Sequence, residues 1–204
     1  MFTTADLIYA IPAIFISLAI HEAMHAFTAH ALGDNTAQQE GRLTLNPLKH
    51  TDLYTTIILP IVTIVLFGFP VLIAKPVPFD PSRVKFGEYG AALVGVAGPL
   101  SNIILAAIAA ALLHIFIFPV DAIKFLLVFI EINVWFFVIN MIPIPPLDGS
   151  RLLYAFAPEG LQKIMMKIES FGYLMIIAIL FLVIHFIYGP IYYCYQHLLN
   201  LLVG

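Results

Sequence analysis

Charged side chains are scarce in this sequence. Of its 204 residues only 10% are Asp, Glu, Lys or Arg, and 62% are hydrophobic, whereas a typical soluble domain carries about 25% charged residues. The formal net charge is −3 and there is no basic run, which disfavours a nucleic-acid partner. The single cysteine, Cys194, excludes an internal disulfide and a cluster of thiolates around a metal ion. The composition predicts an integral membrane protein.

The hydrophobic residues are concentrated in five blocks. Blocks 53–74, 89–120 and 170–204 contain no charged residue, and blocks 7–31 and 125–147 contain one glutamate each. Because a helix of about 20 apolar residues spans the core of a bilayer, we expect an all-α polytopic membrane protein with five to six membrane helices. The number depends on whether the last block is one helix or two, and on whether block 53–74, which contains prolines and a glycine, spans or re-enters.

The intervals between the blocks are too short for an appended soluble domain, so we expect one membrane domain, residues 1–204. Residues 42–45 alternate in polarity like a short surface strand. In residues 75–79, Pro76 and Pro78 are two positions apart, which leaves the N–H groups of the opposite edge available for pairing. This pattern predicts an edge strand at the membrane surface, and an unpaired proline-rich loop is the alternative.

The first block contains two histidines and a glutamate within HEAMH, residues 21–25. His21 and His25 are four residues apart, so on a helix they share one face and can bind one metal ion together. Glu22 lies about 100° further round the helix, beside such an ion but not bound to it. This is the arrangement of zinc metalloproteases, although the short pattern also occurs by chance. Its place in a membrane helix, where ionisable residues are costly, favours a functional interpretation.

A catalytic zinc site has three protein ligands, and two histidines leave one to be found. The acids Glu131 and Asp148 are the candidates. Glu131 lies in the middle of an apolar block with no break nearby, whereas Asp148 follows Pro143, Pro145 and Pro146, which cannot continue a helix. Because interrupted backbone at membrane depth is tolerated where it is buried in protein or lines a polar cavity, we predict that Asp148 is the third ligand.

The remaining histidines are scattered along the chain, and for each of them a structural or surface role is the better interpretation. His50 has an alternative, because it lies near Asp52 in a turn-rich segment where it could tune or gate the site. The five residues are His30, His50, His114, His185 and His197.

Small residues follow one helix face in the third block, where Ala91, Gly95, Gly98 and Asn102 are spaced at i, i+4, i+7 and i+11. Such a face lets another helix approach closely, and ordinary packing explains the glycines. Packing does not explain Asn102, because an amide in an apolar setting needs a hydrogen-bond partner.

Three motifs in this order, HEAMH, GPLSN and NMIPIPPLDG, resemble the site-2 protease family of intramembrane zinc metalloproteases. The similarity covers roughly residues 17–155 and is closest to the compact form without an appended regulatory domain. Block 53–74 is an additional segment relative to better-known members. The resemblance implies that one Zn²⁺ is held by His21, His25 and Asp148, that Glu22 is the general base, and that Asn102 and Asn140 bind or polarise the substrate.

The function implied by this resemblance is hydrolysis of peptide bonds within or near transmembrane segments of other membrane proteins. A substrate helix must be extended first, and the edge at residues 75–79 could receive it as an added strand. The resemblance also implies a multi-pass protein of the cell (inner) membrane, with its metal nearer the cytosolic face. Two alternatives remain open, namely a membrane metal or proton transporter that uses the same residues and a non-catalytic membrane scaffold of the same fold.

Overall fold

The computed structural model describes residues 7–50, 77–172 and 186–204, together with the isolated residues 178 and 182. Several predicted features therefore lie outside the described residues. They are the start of the first helix, the apolar block 53–74, the first two residues of the edge strand at 75–79, Asp52, His185 and part of the last block.

Every regular element among the described residues is helical, which confirms the all-α class. The helices are α1 (Leu7–Ala31), α2 (Thr36–Gln39), a 3-10 helix (Pro47–Lys49), α3 (Glu88–Ile115), α4 (Val120–Asn140), α5 (Ser150–Phe156), α6 (Glu159–Glu169) and α7 (Tyr188–Val203). Three of them, α1, α3 and α4, are long and apolar enough to cross a membrane, which indicates a membrane protein. This accounts for three of the predicted five to six membrane helices.

The three long helices pack against one another, and α7 packs on α4. Small side chains such as Ala13 on α1 and Ala106 on α3 are fully buried where the helices meet, and Ile130 of α4 fills the space between them. Alanine lets helix backbones approach closely, which is how helices associate in a membrane where no hydrophobic force drives them together. This packing fixes the faces of α1, α3 and α4 that surround the functional residues.

The predicted break after the fourth apolar block is present. Helix α4 ends at Asn140, and the chain then turns back so that the N–H of Gly149 donates to the Asn140 carbonyl at 2.6 Å. A side chain at Gly149 would lie 2.5 Å from the Met141 carbonyl carbon, so only glycine allows this close return. The turn ends at the first residue of α5 and places Asp148 between α4 and α5.

The strand predicted at residues 42–45 is wrong, because residues 43 and 44 form a bend and residues 42 and 45 have no regular secondary structure. The Arg42 side chain turns inward and donates to the Lys49 carbonyl, and the Thr44 N–H donates to the Arg42 carbonyl at 2.9 Å. These contacts curl the segment and prevent an extended conformation. Within the predicted edge strand, residues 77–79 have no regular secondary structure, and the N–H of Val77 is bonded to a side chain of α1.

Candidate metal centre

Three ligand atoms converge where the middle of α1 faces the turn after α4. His21 Nε2 lies 3.0 Å from Asp148 Oδ2, His25 Nε2 lies 3.3 Å from the same oxygen, and the two Nε2 atoms are 3.1 Å apart. Both histidines are buried and Asp148 is half-buried. Among the described residues this is the one group of three or more His, Cys, Asp or Glu side chains able to hold a metal ion. The structure thus brings together three residues, of which His21 and Asp148 are 127 positions apart in the sequence.

The hydrogen bonds on the far side of each ring fit a metal ion. His25 Nδ1 lies 2.7 Å from the Val94 carbonyl oxygen, and His21 Nδ1 lies 2.6 Å from Asn102 Oδ1. Because both partners are acceptors, each Nδ1 carries the proton in the neutral ring and each Nε2 presents a lone pair. Two lone pairs and a carboxylate oxygen at these distances need a positive charge between them, which a metal ion, or a proton on one imidazole, supplies. A tetrahedral zinc ion with bonds of about 2.0–2.1 Å would separate its ligand atoms by about 3.3–3.4 Å.

Gly98 of α3 leaves the space beside this group open. A Cβ atom placed on it would lie 2.7 Å from His21 Nε2 and would also overlap His25 Nε2. The sequence predicted that this glycine is a helix-packing residue. In the structure, the side of Gly98 where a side chain would be attached faces the candidate ligand atoms of His21 and His25. The structure therefore adds Gly98 to the candidate site as the residue that makes room for the two imidazole rings.

Glu22 points toward the segment that precedes α3. It is buried, and its Oε2 accepts a hydrogen bond of 2.9 Å from the N–H of Val77. A second contact holds the same segment, because Asp34 Oδ2 accepts a 2.6 Å hydrogen bond from the N–H of Asp80. The first bond orients the Glu22 carboxylate, and the second holds the segment that donates it. Its assignment as general base stays a prediction.

The two asparagines assigned to substrate binding have different surroundings. Asn102 is fully buried, and its side chain contacts His21 on one side and Asn133 on the other. Asn140 lies at the end of α4, where its amide donates to the Phe136 carbonyl of the same helix at 2.9 Å. Contact with a substrate stays a prediction for both. The structure gives Asn102 a direct contact with His21, a candidate metal ligand, that the motif did not indicate.

Three of the four other histidines within the described residues have local side-chain contacts, whereas Nδ1 of His30 is buried and has no hydrogen-bond partner among the described residues. His50 Nε2 lies 2.8 Å from the Thr44 carbonyl, and His114 Nδ1 lies 2.8 Å from the Ala110 carbonyl. The His197 ring stacks on Tyr193. None of them belongs to the metal-binding group, which agrees with the structural or surface interpretation.

Three curated relatives match most of the chain. It is 34% identical to "Putative zinc metalloprotease YwhC" of Bacillus subtilis over 180 residues, which cover 84% of this chain and 79% of that protein. Two proteins named "Putative zinc metalloprotease Rip2" are 32% identical in Mycolicibacterium smegmatis and 30% identical in Mycobacterium tuberculosis. Those matches cover 81% and 82% of this chain but only 63% and 64% of the relatives. No family model and no solved structure matches.

Proposed function

Because this chain belongs to the site-2 protease family of zinc metalloproteases, we propose that it is an intramembrane endopeptidase that hydrolyses peptide bonds within or near transmembrane segments of other membrane proteins. The observation that supports this most strongly is the convergence of His21, His25 and Asp148 at 3.0–3.3 Å beside a buried glutamate. The transporter alternative favours ionisable groups that are repeated along a path through the protein. The described residues instead contain a single group able to hold a metal ion.

The cofactor is Zn²⁺, the metal named in the relatives, and His21, His25 and Asp148 would hold it. Bound there, zinc supplies Lewis acidity, which polarises the scissile carbonyl and acidifies a water molecule. Two neutral imidazoles and one carboxylate compensate only part of the charge of a divalent ion, so the ion keeps its electrophilic character. The turn after α4 brings the carboxylate to the imidazoles without a break in α1 or α3.

Glu22 would accept a proton from the attacking water and return it to the leaving amine. While no substrate is bound, the Val77 N–H donates to Oε2 of Glu22 and orients the carboxylate. Asn140 would hydrogen-bond the substrate backbone after its amide leaves the Phe136 carbonyl. The contact of Asn102 with His21 supports a role on the metal side of the site, in addition to the substrate contact implied by the resemblance.

The substrate would be a transmembrane segment that unwinds readily, since peptide bonds in a helix are not accessible to the site. We propose that it enters in an extended form along residues 75–79. In the structure the Val77 N–H of this segment is bonded to Glu22, so pairing at that position would release the carboxylate. We further propose a single membrane domain over residues 1–204, five to six membrane helices, and a site nearer the cytosolic face of the cell membrane.

The proposed function is tested with purified protein reconstituted in vesicles together with a panel of single-span peptides. We expect cleavage within or near the span, identified by mass spectrometry of the products. Removal of zinc with a chelator should stop cleavage, and one equivalent of zinc per chain should restore it. Metal flux across the vesicle without cleavage would instead support the transporter, and zinc-loaded protein inactive on every peptide would support the scaffold.

A further inference from the structure

A line of buried side-chain amides connects α4 to the metal-binding group. Ser17 of α1, Asn133 of α4 and Asn102 of α3 are all fully buried, and Asn133 joins the other two through hydrogen bonds of 2.8 Å. We propose that Asn133 is a positioning residue that fixes which ring nitrogen of His21 faces the metal ion. This inference rests on the zinc site of the proposed function, but it does not depend on proteolysis.

The direction of this line of amides is set at the Phe129 carbonyl. A carbonyl oxygen only accepts hydrogen bonds, so the Asn133 atom that lies 2.8 Å from it must be the amide nitrogen, Nδ2. The same nitrogen donates its second hydrogen to Ser17 Oγ. The other end of the Asn133 amide, Oδ1, therefore has to face Asn102.

Asn102 has one arrangement that matches this neighbour. Its Nδ2 donates to Asn133 Oδ1 at 2.8 Å, which turns its own Oδ1 toward His21 Nδ1 at 2.6 Å. Facing an acceptor, Nδ1 of His21 carries the proton. Nε2 is then left with the lone pair, directed at Asp148 and at the position of the ion. A carbonyl on α4 thus determines the tautomer of a histidine on α1 through two amides.

Removing the Asn133 side chain should release this constraint. In Asn133→Ala the Asn102 amide loses its partner and can turn over, which presents a donor to His21 and favours the tautomer with the proton on Nε2. Partners that hydrogen-bond to metal-binding histidines change metal affinity by about 10–100-fold when they are removed. We expect zinc affinity to fall about 10-fold. Ser17→Ala should have a smaller effect, because the Phe129 carbonyl still orients Asn133.

The experiment compares zinc affinity, by competition with a chelator, in the wild type, Asn133→Ala and Val134→Ala. Val134 is the next residue of α4 and is equally buried, so its truncation tests for general loss of packing without touching the amides. A second readout is nuclear magnetic resonance of the zinc-free protein with labelled histidine, because zinc bound at Nε2 would itself place the His21 proton on Nδ1. The two signals to follow are the Nδ1–H signals of His21 and of His25, which donates to Val94. They are assigned separately from those of His50 and His114, whose rings also face backbone carbonyls.

We expect Asn133→Ala to bind zinc more weakly and to lose the His21 signal while keeping that of His25, with both properties unchanged in Val134→Ala. Unchanged zinc affinity and two retained signals in Asn133→Ala would overturn the inference. Equal losses in Asn133→Ala and Val134→Ala would also overturn it, since packing alone would then explain them. A wild type that binds no zinc would overturn the proposed function itself, which is a distinguishable result.

Discussion

Glu22→Gln is expected to eliminate measurable peptide hydrolysis while zinc stays bound at one ion per chain. The amide cannot accept the proton of the attacking water, and general acid–base catalysis typically contributes about 10²–10⁴-fold to a rate. The side-chain oxygen of glutamine can still accept the hydrogen bond from Val77, so the local structure should persist. Cleavage of a single-span peptide and the zinc content of the same preparation measure the two effects separately.

The matched control is Glu131→Gln, which makes the same chemical change on a glutamate in the middle of another membrane helix, α4. Glu131 lies on α4 and lines a cavity between α4 and α7, not the metal-binding group. Its variant should cleave at the wild-type rate. If Glu22→Gln cleaved as fast as Glu131→Gln, Glu22 would not be the general base. If the Glu22→Gln protein lost its zinc, Glu22 would contribute to metal binding instead of proton transfer.

Gly98→Ala should remove zinc binding and activity together. The new methyl group would overlap His25 Nε2 and lie 2.7 Å from His21 Nε2, so both imidazoles must move away from the position of the ion. Because losing only a hydrogen-bond partner of a ligand costs up to about 100-fold in metal affinity, displacing two ligands should cost more than that. The zinc dissociation constant, measured by chelator competition, gives the result directly.

Gly160→Ala is the matched control for this substitution. Gly160 lies within α6, and a Cβ atom placed there meets nothing within 4 Å. Alanine is the better helix former by about 1 kcal/mol, so this variant should be at least as stable as the wild type and bind zinc normally. Wild-type zinc affinity in a folded Gly98→Ala protein would show that the ion does not lie beside this glycine.

Two local patterns were enough to predict the candidate ligands. The four-residue spacing of His21 and His25 has a direct consequence on a helix, because it places both rings on one face. Asp148 could be predicted because prolines end a helix wherever they occur, and a break of this kind lets a carboxylate turn inward. Both inferences used only the residues that neighbour each candidate ligand in the sequence.

The remaining features depend on contacts between distant segments. In the sequence, Gly98 lies on a helix face of small residues, which is typical of helix packing. Only the position of α1 in the structure shows that a side chain at Gly98 would meet two imidazole rings. Asn133 offered one signal in the sequence, because an amide in the middle of an apolar helix needs a hydrogen-bond partner. The sequence does not show its two side-chain partners, which lie 31 and 116 positions away. The strand predicted at 42–45 was wrong because the inward hydrogen bond of Arg42 outweighs a four-residue alternation.

The most direct test of the metal centre is X-ray absorption at the zinc edge of the purified wild-type protein. We expect one zinc ion per chain with two imidazole ligands and a carboxylate oxygen at about 2.0–2.2 Å. Asp148→Ala should lose the carboxylate contribution or the ion altogether. A shell with a single imidazole, a shell unchanged in Asp148→Ala, or a protein that takes up no zinc would contradict the assignment of His21, His25 and Asp148 as its ligands.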